Sequence, residues 1–155
     1  MTAQTHGRTT ARTFTIKEAA GLTGLPASTL RYYESIGVVA PVGRSASSGH
    51  RVYTEDDLDL LTWVACLNAT GMSVRDMKQY VANAALGTEA AGQQVELLRA
   101  QGERLAREAE LLAVRRRYVQ HKVDYWQARA DGDEARAADL AERALSLADR
   151  MKSIK

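Results

Sequence analysis

The chain has 155 residues, of which 45% are hydrophobic and 26% are charged, and its formal net charge is +2. This composition is typical of one folded domain with an extension and excludes wholesale disorder. No apolar run approaches the roughly 20 residues of a membrane helix, and Met1 to Arg12 lacks the apolar core of a secretory signal. A single cysteine, Cys66, excludes an intrachain disulfide and a thiolate-rich zinc cage. We therefore expect a cytoplasmic protein without a metal, another cofactor or a membrane partner.

Charge is distributed unevenly along the chain. Residues 1–53 contain six Lys or Arg and two Glu, whereas residues 54–92 contain two basic and six acidic residues. The basic excess coincides with aromatic and glycine-containing motifs in the first third of the chain. This pattern indicates a polyanionic partner.

Two short helices are predicted after a non-periodic, flexible arm at residues 1–13. Thr15 and Glu18 form a Thr-x-x-Glu capping box that opens a helix ending near Leu22. Pro26 suits the first position of a second helix that ends near Ser35. Because a glycine-bearing turn separates them, the pair is interpreted as a helix-turn-helix.

A small β-hairpin, or wing, is predicted next. Proline, glycine and serine interrupt residues 38–53, which excludes a helix there. Val38-Val39 and Arg51-Val52-Tyr53 are the strand-like segments on either side of the loop.

A second helix pair follows the wing. Thr54 precedes three acidic residues and opens a helix to about Asn68, and Ser73 opens another. Together with the first pair they complete a predicted domain at residues 14–85. Residues 86–92 are interpreted as a linker.

The longest regular pattern predicts a coiled coil at residues 93–129. Two heptad positions alternate, and one of them is apolar in every heptad, which favours a homodimer. The alternative is that the helix folds back on its own N-terminal domain. The first position holds Val95, Gly102, Ala109, Arg116 and Val123, and the second holds Leu98, Leu105, Leu112, Val119 and Trp126.

A final amphipathic helix is predicted at residues 133–152, after the break at Asp131-Gly132. Its role stays open between capping the dimer, binding a partner and fraying.

The second helix carries the candidate binding chemistry. Its hydroxyls and the guanidinium of Arg31 can hold phosphates and read base edges, although a solvated helix face is the alternative. The run Thr29-Leu30-Arg31-Tyr32-Tyr33-Glu34, followed by Gly37, Pro41, Arg51-x-Tyr53 and Gly71-Met72-Ser73, resembles the MerR family of bacterial transcription regulators.

The resemblance implies a mainly α fold, in which a winged helix-turn-helix DNA-binding domain precedes a long antiparallel coiled-coil dimerisation helix. It implies a homodimer that binds double-stranded promoter DNA at a near-palindromic element, alters its shape and acts with bacterial RNA polymerase. The residues matched to DNA contact are Thr15, Ser28, Thr29, Arg31, Tyr32, Tyr33, Arg44, Arg51 and Tyr53.

Cys66 has two interpretations. The stretch from Trp63 to Ser73 and the sequence Val123-Asp124-Tyr125-Trp126 resemble the thiol-based, aldehyde- and electrophile-responsive subgroup, which implies a sensor thiol. From the residues alone, a cysteine within an apolar helix is a small buried hydrophobe whose reactivity burial suppresses.

Other functions remain as alternatives. Tyr118, Tyr125 and Trp126 either line a pocket for a small apolar ligand or pack against the second helix-turn-helix of a partner. A coiled-coil adaptor without specific DNA binding is a second alternative. An enzyme is not expected, because the sequence has no triad, phosphate loop or carboxylate pair at catalytic spacing.

Overall fold

The computed structural model describes residues 11–154, so residues 1–10 of the predicted arm lie outside the described part of the chain. The described residues divide into two compact units, one ending at Leu97 and the other beginning at Leu98. The elements in chain order are α1 (Ile16–Thr23), α2 (Ala27–Ser35), β1 (Gly43–Arg44), β2 (Arg51–Val52), α3 (Glu55–Ala69), α4 (Val74–Leu86), a 3-10 turn (Gly87–Ala90), α5 (Ala91–Ala130) and α6 (Glu134–Ser153). These elements confirm a mainly α chain with helix-turn-helix pairs, a small wing and a long helix.

Side-chain caps begin the helices where the sequence predicts them. The Thr15 hydroxyl accepts a hydrogen bond from the Glu18 N–H, and the Glu18 carboxylate accepts one from the Thr15 N–H. Hydrogen bonds from the Thr15 backbone, and then from its hydroxyl, lower the pKa of Glu18. Thr54 and Asp57 form the same reciprocal box at α3. These caps satisfy N–H groups that have no partner inside the helix.

The wing differs from its prediction in the placement of one strand. Val38 and Val39 are not a strand; their side chains are buried in the core. The first strand instead begins at Gly43, and the antiparallel register pairs Gly43 with Val52 and Arg44 with Arg51. Consecutive valines are typical of a strand, but here they are apolar because both are buried in the core and not because they pair with another strand. Pro26 also differs: it precedes α2 as its N-cap residue instead of occupying the first turn.

One apolar core holds the first unit together. Leu30 of α2, Leu61 and Val64 of α3, and Met77 of α4 are almost fully buried in it. Phe14 adds a backbone bridge to Tyr53, with N–H to carbonyl distances of 2.8 Å in both directions. The wing is thereby tied to the start of α1, which brings these two segments to one surface.

The predicted linker at residues 86–92 has a defined conformation. The side chain of buried Asn83 donates to Gln94 Oε1 at 3.1 Å, and the Gln94 amide donates to the Tyr80 carbonyl at 3.1 Å. Gly87 adopts φ +63°, which suits a residue without a Cβ at the end of α4. The segment is therefore a hydrogen-bonded corner between α4 and the beginning of α5.

In the second unit, α6 returns antiparallel along α5. Ala128 of α5 packs with Ala137 and Leu140 of α6, near the connecting turn. At the other end of α6, Arg150 Nη2 lies 3.3 Å from Glu110 Oε1. Small residues bury the contact closest to the turn, which allows the two backbones to approach. Within the described residues, no helix is both long enough and apolar enough to cross a bilayer.

Candidate nucleic-acid interface

Three segments of the first unit line one open concavity of about 500 Å³. They are the first turn of α1, the middle of α2, and the wing. The concavity gathers four of the predicted DNA-binding residues, and it adds Lys17 and polar residues of the wing that sequence reasoning missed. Its lining residues include Thr15, Lys17, Arg31, Arg44, Ser45, Ser48, His50 and Arg51.

Helix α2 presents its polar side chains because its apolar side chains are anchored in the core. Leu30 and Tyr33 are buried, whereas Ser28, Arg31 and Tyr32 are exposed on the same short helix. Thr29 is half-buried at the edge of this face. A helix with 3.6 residues per turn separates the two groups onto opposite faces. The exposed face therefore carries a guanidinium, hydroxyls and an aromatic ring.

Tyr33 and Tyr53 do not belong to the exposed surface. Both side chains are almost fully buried, and burial raises the pKa of each. The Tyr53 hydroxyl is also buried and has no hydrogen-bond partner among the described residues. The sequence motif placed them among the DNA contacts, but in the described chain they are core residues that support the surface from beneath.

Arg51 joins the wing to α2. Its Nε donates to Glu34 Oε2 at 3.1 Å, and its Nη2 donates to Glu34 Oε1 at 3.3 Å. This hydrogen bond to Glu34 raises the pKa of the Arg51 guanidinium. The two-pronged geometry fixes orientation as well as distance. Arg51 is thus a positioning residue of the wing, and its charge is already paired.

The tip of the wing is a tight turn that holds Arg44. Arg44 Nη1 donates to the Gly49 carbonyl at 3.1 Å, and the Ser45 N–H donates to the His50 carbonyl at 2.8 Å. Gly49 adopts φ +70°, a conformation that residues with a Cβ rarely adopt. The turn therefore holds the Arg44 guanidinium beside the loop, where an anion can still reach its other N–H groups.

The charges of the concavity favour an anion. Lys17, Arg31 and Arg44 are exposed cations that line it. The Glu34 carboxylate on α2 is paired with Arg51, so it does not cancel the charge of these three. Lys17 could have been found from sequence, because it lies in the first turn of α1, two residues after the capping Thr15. His50, Ser45 and Ser48 have no sequence signal beyond their place in a loop.

Cys66 lies apart from this concavity on α3. Its side chain is exposed in the described chain, and the neighbouring Trp63 is 55% exposed. The interpretation of a thiol buried among apolar neighbours is therefore wrong for the single chain. Val64, two residues before Cys66 and therefore on the opposite face of α3, is the residue of this segment that enters the core.

Comparisons with known proteins agree on one family. The sequence model described as "MerR HTH family regulatory protein" matches residues 14–84. An uncharacterized HTH-type transcriptional regulator of Haemophilus influenzae is 35% identical over 89 residues, which are 57% of this chain and 65% of that protein. The HTH-type transcriptional regulator AdhR of Bacillus subtilis is 32% identical over 90 residues, 58% of this chain and 64% of AdhR. The chain therefore spans slightly less than two thirds of the length of either curated relative.

A solved structure covers more of the chain. The crystal structure of HiNmlR, a MerR family regulator lacking the sensor domain and bound to promoter DNA, is similar with a TM-score of 0.64 and 30% sequence identity. The match covers 81% of this chain and 96% of HiNmlR.

Proposed function

Because the chain belongs to the MerR family of helix-turn-helix regulators, we propose that it is a transcriptional regulator that binds double-stranded promoter DNA. The observation that carries the proposal is the concavity in which α1, α2 and the wing bring Lys17, Arg31 and Arg44 together. Cations on three separate segments can follow a phosphate backbone, which a single charged helix face cannot do as well.

The segments have different roles in this proposal. Helix α2 enters the major groove, where Arg31 donates to the acceptor edge of a guanine and Tyr32 adds apolar contact. Lys17 and the wing residue Arg44 bind backbone phosphates on either side, whereas Thr15 donates to Glu18 and positions the start of α1. Ser28 and Thr29 at the start of α2 add hydroxyl donors. Contacts to base edges specify a DNA sequence, whereas contacts to phosphates set the affinity and the register of the protein on DNA.

We propose that the protein binds as a homodimer. The apolar heptad residues of α5 are exposed in the single chain, from 38% for Leu105 to 66% for Trp126. A contiguous apolar stripe of this length is unfavourable in water and is typical of a surface that a partner covers. A two-fold dimer presents two copies of α2, which favours a near-palindromic promoter element.

The family also suggests how binding controls transcription. We propose that the dimer bends and untwists its promoter so that bacterial RNA polymerase can engage it. Such distortion requires many backbone contacts, because the energy of deforming DNA has to be offset by them. HiNmlR, to which the chain is similar, was crystallised on promoter DNA, which supports the DNA binding that this part of the proposal requires.

Cys66 is the proposed switch. Its exposed Sγ can add to an aldehyde: an S–C bond forms, the C=O π bond breaks, and the thiol proton ends on oxygen as a hemithioacetal. The product places a polar group beside exposed Trp63. The alternative effector is a small apolar ligand that binds near Tyr125 and Trp126, whose rings meet edge to face with centroids 5.3 Å apart.

Two measurements test these roles. Fluorescence anisotropy with the chain's own upstream DNA should give binding that weakens steeply with salt, and Arg31→Ala should lower specific affinity about tenfold or more. Arg143→Ala on α6, which removes an exposed arginine of equal size, is the matched control. Failure of the wild type to bind that DNA would leave the adaptor as the remaining function.

The thiol switch is tested in cells. Aldehyde-induced expression from the promoter should be lost in Cys66→Ser while DNA affinity in vitro is retained. Unchanged induction in Cys66→Ser would exclude the thiol and favour the apolar ligand.

A further inference from the structure

Helix α5 has two opposite faces in the second unit, and α6 covers only one of them. Ala128 is buried against α6, and Val114, two heptads earlier on the same face of α5, is also buried. The opposite face, which we call the seam, is exposed along its whole length. The seam consists of Leu98, Gly102, Leu105, Ala109, Leu112, Arg116, Val119, Val123 and Trp126.

Residue size alternates along the seam. Large apolar residues occupy one heptad position, and smaller or charged residues, such as Gly102, Ala109 and Arg116, occupy the other. In a parallel pair each of these three would face its own copy. The Gly102 and Ala109 layers would then contain gaps, and the Arg116 layer would bring two guanidinium groups together. A parallel arrangement is therefore disfavoured.

The resemblance to the MerR family already implies an antiparallel pair of α5 helices, and we propose that the seam binds a second copy of this chain in one particular register of that pair, with the two-fold axis between Ala109 and Leu112. This inference rests on the homodimer of the proposed function and specifies how its two α5 helices meet. Each small residue then faces a large one. Leu98 opposes the partner's Val123, Gly102 opposes the partner's Val119, Leu105 opposes the partner's Arg116, and Ala109 opposes the partner's Leu112.

Charge beside the seam selects this register. It brings Glu108 next to the partner's Arg115, and the symmetry repeats the pair on the other half. A shift of one heptad in one direction would bring Glu108 against its own copy, and a shift in the other direction would do the same to Arg115. Both side chains are exposed, and neither forms an ion pair within residues 11–154. Both charges are thus available to a partner.

Gly102 supports the same register. A glycine inside a helix is less favourable than alanine, and the single chain offers no reason for it. A Cβ added there would meet no atom within 4 Å, and the φ angle of Gly102 is not positive. In the proposed register the partner's Val119 lies opposite Gly102. A glycine is favourable there because the absence of its side chain leaves room for the side chain of the partner's Val119.

Charge reversal tests the pairing. E108R and R115E should each raise the dimer dissociation constant about tenfold at low salt, because two attractive pairs per dimer become repulsive. The double variant E108R/R115E restores opposite charges and should return the constant to within about twofold of the wild-type value. E103R, an exposed reversal on the same helix but off the seam, is the matched control. The readout is sedimentation equilibrium.

Disulfide cross-linking tests the register without depending on the strength of the ion pairs. In a C66S background, E108C/R115C should form a covalent dimer under mild oxidation, whereas R116C should not cross-link to itself. If R116C cross-links to its own copy and E108C/R115C does not cross-link, the proposed register is wrong, although the protein is still a dimer. A monomer at micromolar concentration would overturn both the register and the proposed dimer.

Discussion

Arg51 on the wing and Glu34 on α2 are joined by two hydrogen bonds of 3.1 and 3.3 Å, although they lie 17 residues apart. The pair is mostly shielded from solvent, with side-chain exposures of 24% and 13%. It holds the wing against the helix that presents Arg31. The surface that faces DNA in our proposal is therefore preorganised by an ion pair that itself needs no DNA contact.

We expect Glu34→Gln to destabilise the first unit by about 1–2 kcal/mol, because Arg51 loses its charged acceptor in a partly buried place. The free energy of unfolding should be measured by urea denaturation. Asp149→Asn removes the acid of the exposed Asp149–Lys152 pair, where the cost should stay within about 0.5 kcal/mol. Equal costs in the two variants would show that the Arg51–Glu34 pair is no stronger than a surface pair.

Lys17 is the cation of the concavity that sequence reasoning missed, and its proposed contact is a phosphate. We expect Lys17→Ala to weaken binding to all DNA sequences alike and to reduce the slope of log K against log salt by about one. Anisotropy titrations at several salt concentrations measure this slope. Lys152→Ala, at the far end of the chain on α6, should leave the slope unchanged. A loss of discrimination between sequences in Lys17→Ala would instead indicate a base contact.

Alkaline pH should destabilise the fold through its buried tyrosines. Burial raises the pKa of Tyr33 and Tyr53 above the ordinary value of 10.0. Their contribution to stability is complete below pH 10.0 and is lost as pH rises further, because the unfolded chain then gives up phenolic protons that the folded chain keeps. Urea denaturation from pH 8 to about pH 11 should show this decline.

Tyr53→Phe isolates the contribution of one ring. The Tyr53 hydroxyl has no hydrogen-bond partner among the described residues, so its removal should change stability at pH 7 by no more than about 1 kcal/mol. The alkaline decline should become shallower in this variant. Tyr32→Phe, which changes an exposed ring on the same surface, should keep the full decline. A large loss of stability at pH 7 would mean that the hydroxyl of Tyr53 is satisfied in solution.

The contact between α5 and α6 depends on small residues. Ala137 is 2% exposed and packs on Ala128, so Ala137→Leu should destabilise the second unit by about 1–3 kcal/mol through overpacking. Ala138→Leu adds the same side chain at the next, exposed position of α6 and should be neutral. Thermal unfolding followed by circular dichroism compares the two variants. If both behave alike, α6 does not pack on α5 through this face.

Local sequence determined the helices and their beginnings. Thr15, Thr54 and Ser73 cap the helices that their motifs predict, since a cap depends on residues only three positions away. The heptad pattern likewise identified the stripe of α5 that remains exposed, because helical periodicity alone assigns residues to a face. The family motif around Arg31 was also readable, since it is a continuous run.

Tertiary structure decided what these elements do together. The tyrosine motif reads as a binding surface, yet Tyr33 and Tyr53 turn inward, and only packing distinguishes the two outcomes. Residues distant in sequence come together in two places, where Arg51 pairs with Glu34 and where Lys17 lines the same concavity as Arg44. The exposure of Cys66 likewise depends on how α3 packs and not on its neighbours in sequence. No local pattern encodes such relations, because they depend on how α1, α2 and the wing pack around one shared core.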